Sequence, residues 1–251
     1  FFFKQKTAYE ISTRDWSSDV CSSDLAIPSH PSQRALSLIE LVVTMAVLGL
    51  LAALALSASA PQIQRARRIS CLANLRSWGI ATHVHATDHS DFLPMDGAPN
   101  GISTRDAWYA DLPISMGMLP YHKEGAWRTN PSVQLPHSPW ICPSNRRHSN
   151  GRILFHYTLN RKATGSGPDE RQRLLTLIPE PSTLVWLFDN GGVAAVAAEG
   201  NAHPRIHGAG GQFLFMDGHV QRLSNAAYWD TSKDRPLNAP IGLRWAREPH
   251  P

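Results

Sequence analysis

The sequence predicts an α+β fold, in which one long N-terminal helix, apolar at first and then amphipathic, packs on a small antiparallel β-rich head. Three observations predict it. Residues 36–60, LSLIELVVTMAVLGLLAALALSASA, form an apolar run with one charged residue, Glu40. From Ile63 onward apolar residues return at helical spacing with arginines between them. Beyond residue 150, four short apolar stretches alternate with segments rich in Gly, Pro and Asn, the pattern of strands and turns.

The first 25 residues stand apart from this pattern. KQKTAYEI from Lys4 and RDWSSDVCSSDL from Arg14 look like the translation of a short-read sequencing adapter on either side of an index barcode. Such a segment is excluded from fold reasoning, and Trp16 and Cys21 go with it. On this reading residues 26–35 are the remnant of a leader. The 251-residue chain carries 24 Lys and Arg against 20 Asp and Glu, and the balance stays mildly basic without the first 25. No run of Lys or Arg interleaved with aromatics argues for nucleic acid, which is not an expected partner. About 160 residues follow the long helix, enough for one compact head.

As a helix the run 36–60 spans about 37 Å, sufficient to cross a hydrocarbon layer of about 30 Å with some tilt. Glu40 is anomalous there, because a charged side chain in a bilayer costs on the order of 3 kcal/mol on insertion scales. It needs a partner or a purpose. A secretory signal peptide is the bland alternative, and Ser57-Ala58-Ser59-Ala60 would serve as its cleavage site. The run exceeds the roughly 7–15 residues of such a core, and a signal peptide has no use for the Glu. Residues 61–89 continue the helix amphipathically. Ile63, Ala66, Ile69, Leu72 and Leu75, then Ile80 and Val84, form the expected apolar face, with Arg65, Arg67, Arg68 and Arg76 toward solvent. Pro61 is expected to kink the helix and Gly79 to weaken it. Asp88, Ser90 and Asp91 supply loop chemistry that ends it near His89.

In the head, residues 90–251, strands are expected at 153–159, 184–188, 212–216 and 219–223. Asp217-Gly218 between the last two signals a two-residue hairpin turn of type I′. Residues 121–140 show no period and read as an irregular connection packed on the sheet. The tail beyond Ser224 carries no recognisable pattern.

Ala35-Leu36-Ser37-Leu38-Ile39-Glu40 resembles the processing site of type IV prepilins and type II secretion pseudopilins, where a small residue, an aromatic or Met, Thr, Leu, Ile and Glu stand in that order. Leu38, Ile39 and Glu40 match, and Ser37 stands for Thr. Ala35 replaces the usual Gly and Leu36 the usual Phe. The resemblance implies a peptidase cut between Ala35 and Leu36, methylation of the new amino group, and pairing of Glu40 with a neighbouring subunit's N-terminal amine. Further matches follow in order: RRISCLANLR from Arg67, the turn Asp91-Phe92-Leu93-Pro94, Cys142-Pro143-Ser144, and a His-x9-Asp-Gly motif at His207, Asp217 and Gly218. Together they are similar to pilin-like proteins of planctomycete and verrucomicrobial type. The implied fold is pilin-like.

Cys71 and Cys142 could form one disulfide tying the helix to the head, or remain two separate buried thiols. His203, His207, Asp217 and His219, with Asp189, invite a metal reading, although Pro204 argues against a helix that would align His203 with His207. The blander reading places His207 in hydrogen bonds at the hairpin and Asp217 in its turn, with no metal and no cofactor. No catalytic motif is found, so an enzyme is not expected. Trp108, Tyr109, Trp127 and Trp140 look exposed enough to stack on sugars, although Trp in a small head is more often core.

The expected protein is therefore a structural pilin-like or pseudopilin subunit. Its partners are the prepilin peptidase, the inner membrane and other pilin-like subunits, in a filament or type II secretion pseudopilus. The alternative is a membrane-tethered module whose head binds glycan or a divalent metal. Two rules disagree on orientation: Arg65, Arg67 and Arg68 follow the run and Arg34 precedes it, which on charge alone puts the head in the cytoplasm. The resemblance implies a single-pass protein with its head in the periplasm, and that is the expectation adopted.

Overall fold

A computed structural model describes residues 37–163, 174–202 and 204–247, and only the backbone of 55–60. Ala35, Leu36 and His203 lie outside the described residues. The chain divides into two units, Phe1–Ala52 and Ala53–Pro251. Helix α1 (Leu38–Asp88) starts in the first and continues into the second, and Pro61 lies inside it without ending it. From Leu38 to Leu54 every large apolar side chain is at least half exposed. Among the described residues no helix is long and apolar enough to cross a membrane.

In the second unit α1 buries Cys71, Leu75, Trp78, Thr82 and His85, spaced alternately four and three apart, so that they share one stripe. This corrects the expected face. Ile63, Ile69, Ile80 and Val84 are exposed, because a count of every third residue drifts around a 3.6-residue helix. Gly79 has a packing role: a Cβ there would come 2.8 Å from Leu214 Cδ1 and 3.3 Å from the Gly218 carbonyl oxygen.

The sheet contains β1 (Tyr157–Asn160), β2 (Val185–Asp189), β3 (Val196–Ala197), β4 (Gly210–Phe215) and β5 (Val220–Ser224), in the order β3-β1-β2-β4-β5. The α+β class holds, with one departure: β3 runs parallel to β1, so the sheet is mixed. A small ribbon pairs β6 (Trp229–Asp230) with β7 (Arg235–Pro236). Helix α2 (Trp108–Ser115) precedes two 3-10 turns, Tyr121–Lys123 and Ala126–Arg128, within the stretch expected to be irregular. A last helical turn, α3 (Asn225–Tyr228), follows β5.

Two apolar layers sandwich this sheet. One includes Leu75 and Trp78 of α1, Trp108, Trp140, Phe155, Leu187 and Leu214. The other joins Val185, Phe188, Phe213 and Phe215 to Tyr228, Trp229, Leu243 and Trp245 of the tail. A register shift between Val185 and Leu187 explains how Trp186 and Leu187 enter the same layer although they are consecutive on β2. The tail that lacked a pattern is thus the cover of the second face. Trp108, Tyr109, Trp127 and Trp140 are all buried, which removes the proposed sugar-stacking surface. Trp78 and Trp140 approach to 4.5 Å between ring centroids, and the Trp108 indole N–H donates to the Ala195 carbonyl.

The β4–β5 hairpin is present, but its turn is not the two-residue one. Phe215 N–H donates to the His219 carbonyl and Gly218 N–H to the Phe215 carbonyl, and Gly218 has φ +88°. Met216, Asp217 and Gly218 therefore make a three-residue loop with glycine in the left-handed position.

Candidate functional site

Two places carry functional side chains, one at the head of α1 and one inside the head domain. At the first, Ser37 precedes the helix, and its backbone N–H and hydroxyl both donate to Glu40 Oε2, at 2.9 and 3.1 Å. Glu40 N–H donates back to Ser37 Oγ at 3.2 Å. This reciprocal pair is a capping box, readable in the sequence as Ser-x-x-Glu ahead of an apolar run. Within one chain the carboxylate already has a local partner.

The second place is built from five separated segments. A disulfide joins Cys71 of α1 to Cys142, with 4.8 Å between Cα atoms. His207 Nε2 lies 3.7 Å from Cys142 Sγ and 2.8 Å from Asp189 Oδ2 at the end of β2. The same Oδ2 accepts the Gln212 N–H at 2.8 Å, and the Gln212 side-chain amide donates to the Arg68 carbonyl of α1 at 2.9 Å. Nearby, Asn74 donates to the Ile141 carbonyl, and the Tyr157 hydroxyl to the Cys71 carbonyl. Burial, reinforced by the Asp189 carboxylate, holds the Tyr157 phenol well above its usual range. The polar groups of this interior thus bind α1 to the sheet.

His156 completes the arrangement. Its Nδ1 accepts the Cys142 N–H at 3.1 Å and its Nε2 donates to the Arg147 carbonyl at 2.9 Å, which fixes the neutral tautomer with its proton on Nε2. Burial pushes its pKa from the ordinary 6.5 down to about 4, against the smaller upward pull of those two hydrogen bonds. The unfolded chain takes up this proton near pH 6.5 and the folded chain only near pH 4. Its contribution is therefore full above pH 6.5 and is lost as pH falls through that window, by on the order of 3 kcal/mol in all. Urea midpoints are expected to fall between pH 7 and 4.5, and His156→Gln to show a shallower fall. Equal slopes in the two proteins would exclude His156 as the source.

The motif residues do not converge. His207 turns inward to Asp189 and is not part of the hairpin loop, whereas Asp217 accepts from the His219 backbone N–H and meets its Nδ1 at 2.6 Å on the surface. The weak metal set of His207, Asp217 and His219 is thereby divided. Among the described residues, the ligand-type atoms of Cys71, Cys142 and His207 do lie within 4.8 Å of one another. Both sulfurs are committed to the disulfide, and all three residues are buried, so the arrangement acts as an internal clasp. Gln212, Tyr157, Asn74 and His156 were not singled out by sequence. Their signal is slight: polar residues in otherwise apolar strand or helix positions.

Residues 30–56 match a family model described as the prokaryotic N-terminal methylation motif. The match covers the segment that resembles prepilins and includes Ala35, Leu36 and Glu40. It supports a prepilin-type precursor. No curated protein and no solved structure matches the chain.

Proposed function

We propose that the chain is a prepilin-type subunit, cut before Leu36, methylated on the new amine, and held in the inner membrane by the apolar part of α1 with its head in the periplasm. It then packs helix against helix with other pilin-like subunits in a filament or secretion pseudopilus. The methylation-motif match over residues 30–56 carries this reading. Two features of α1 support it. Apolar side chains from Leu38 to Leu54 are exposed on all sides, more than a soluble monomer keeps in water. Ile69, Ile80 and Val84 extend the exposed apolar surface along the head's own part of the helix.

The capping box sharpens the test of Glu40. Gln preserves a capping box but carries no charge, so it separates a local from an intersubunit role. Glu40→Gln and Glu40→Ala are both expected to insert normally and to lose assembly, scored by sheared-filament yield and subunit crosslinking. Normal assembly of Glu40→Gln would overturn charge pairing between subunits. Mass spectrometry of the mature chain should find a methylated N-terminus at Leu36, and a mature end elsewhere would overturn the processing step.

A further inference from the structure

The head carries a basic trough that none of the roles above uses. One wall is α1 at Arg67, Ser70 and Asn74, and the other is the segment running through Gln134 and His137 to Arg146 and His148. Together they line an open groove with a volume of about 840 Å³. A second cavity of about 480 Å³ shares Asn145 and Arg146 with it and adds Arg147, Arg205, Asn190 and Gly191. Among the described residues, no Asp or Glu lines either one. The ion pairs of the described residues use neither Arg67, Arg146 nor Arg147. A cationic trough lined by no carboxylate focuses potential and favours an anionic ligand.

The loop that presents these arginines is pinned. Cys142 is held by the disulfide and by His156, Asn145 N–H donates to the Cys142 carbonyl, and Arg147 N–H donates to Asn145 Oδ1. The Asn145 side-chain amide donates in turn to the Asn190 carbonyl at 3.3 Å, and the Arg147 carbonyl accepts from His156. Arg146 and Arg147 therefore stand exposed on a turn fixed before any ligand arrives, which lowers the ordering cost of binding.

We propose that this trough binds an acidic polysaccharide, its Arg67, Arg146 and Arg147 forks taking carboxylate or sulfate groups while neighbouring amides and hydroxyls take sugar hydroxyls. Guanidinium forks match both oxyanions bidentately. Gln134 and Ser70 along the same cavity supply hydroxyl-directed donors and acceptors. Nucleic acid fits less well, because no Phe, Tyr or Trp side chain lines either cavity as a platform for a run of stacked bases. The larger volume falls within the roughly 300–1,000 Å³ of small-molecule sites, enough for a short stretch of a sugar chain. Every residue that lines it comes from one chain.

The test uses the full chain in neutral detergent and end-labelled polygalacturonate, dextran sulfate, neutral dextran and a DNA duplex, read by fluorescence anisotropy. One or both acidic polysaccharides are expected to bind and to weaken with added salt, with dextran silent and DNA about tenfold weaker or more. The preferred oxyanion identifies carboxylate or sulfate as the ligand group. Arg146→Glu with Arg147→Glu, and separately Arg67→Glu on the other wall, should each reduce affinity about tenfold at unchanged circular dichroism. Arg105→Glu, exposed and outside the trough, should not. Absence of binding, DNA binding as tight as the polysaccharide, or equal loss in Arg105→Glu would overturn the proposal.

Discussion

Asp189→Ala is expected to destabilise the head by about 3–5 kcal/mol, the loss found when one partner of a buried pair is removed. Asp189 is 2 % exposed and His207 also 2 %, so neither finds water as a substitute. The single oxygen Oδ2 accepts from both His207 Nε2 and the Gln212 backbone. Removing it leaves two buried donors unpaired, one of them on the interior strand β4. His207→Ala keeps the Gln212 bond but strands the buried carboxylate, so its cost should be comparable. The double variant should lose less than the sum of the singles, since most of each single cost is the stranded partner. Urea unfolding of the four proteins measures this directly. An additive cycle would show that the 2.8 Å contact carries no coupling.

This pair also shows what was legible in the sequence and what was not. Asp189 and His207 were both candidates, but 18 residues and two strand registers separate them. No local spacing indicates that His207 would choose Asp189 over Asp217. The β4–β5 hairpin was legible because its signal is local: Asp217-Gly218 between two apolar runs. Its turn type was not, since Asp-Gly suits both a two-residue turn and a three-residue loop with glycine left-handed. Strand β3 is only Val196–Ala197, and its parallel partner β1 lies far earlier in the chain. Tyr228, Trp229, Leu243 and Trp245 are spaced without period, because they reach the sheet from the short helical turn α3, the two-residue strand β6 and a loop. The four aromatics read as exposed belong to no periodic apolar pattern in sequence, yet tertiary packing buries them. On α1 the error was arithmetic: a period of three imitates a helical face for two turns and then leaves it.

Reducing the Cys71–Cys142 disulfide, or replacing both cysteines by serine, is expected to cost about 4 kcal/mol. The bond closes a loop with a sequence separation of 71, and the chain-entropy account assigns about that much to a loop of this length. The native contribution should not be offset by strain from distant anchors, because hydrogen bonds independently hold both ends. The Cys71 carbonyl receives Tyr157, Cys142 N–H reaches His156, and Asn74 one turn along α1 reaches Ile141. These bonds should let the reduced head still fold, so the effect is a lower urea midpoint, not loss of the transition. A thiol reagent under denaturing conditions should reach neither Cys71 nor Cys142 before reduction and both after it. The serine double variant, with or without reductant, should then match the reduced parent. An unchanged midpoint on reduction would mean that the apolar layer and the polar contacts hold α1 to the sheet without help from the disulfide. In the proposed subunit, force applied through the helix reaches the head at this same junction. Loss of the disulfide should therefore also raise protease sensitivity at the helix–head boundary, where α1 would separate first.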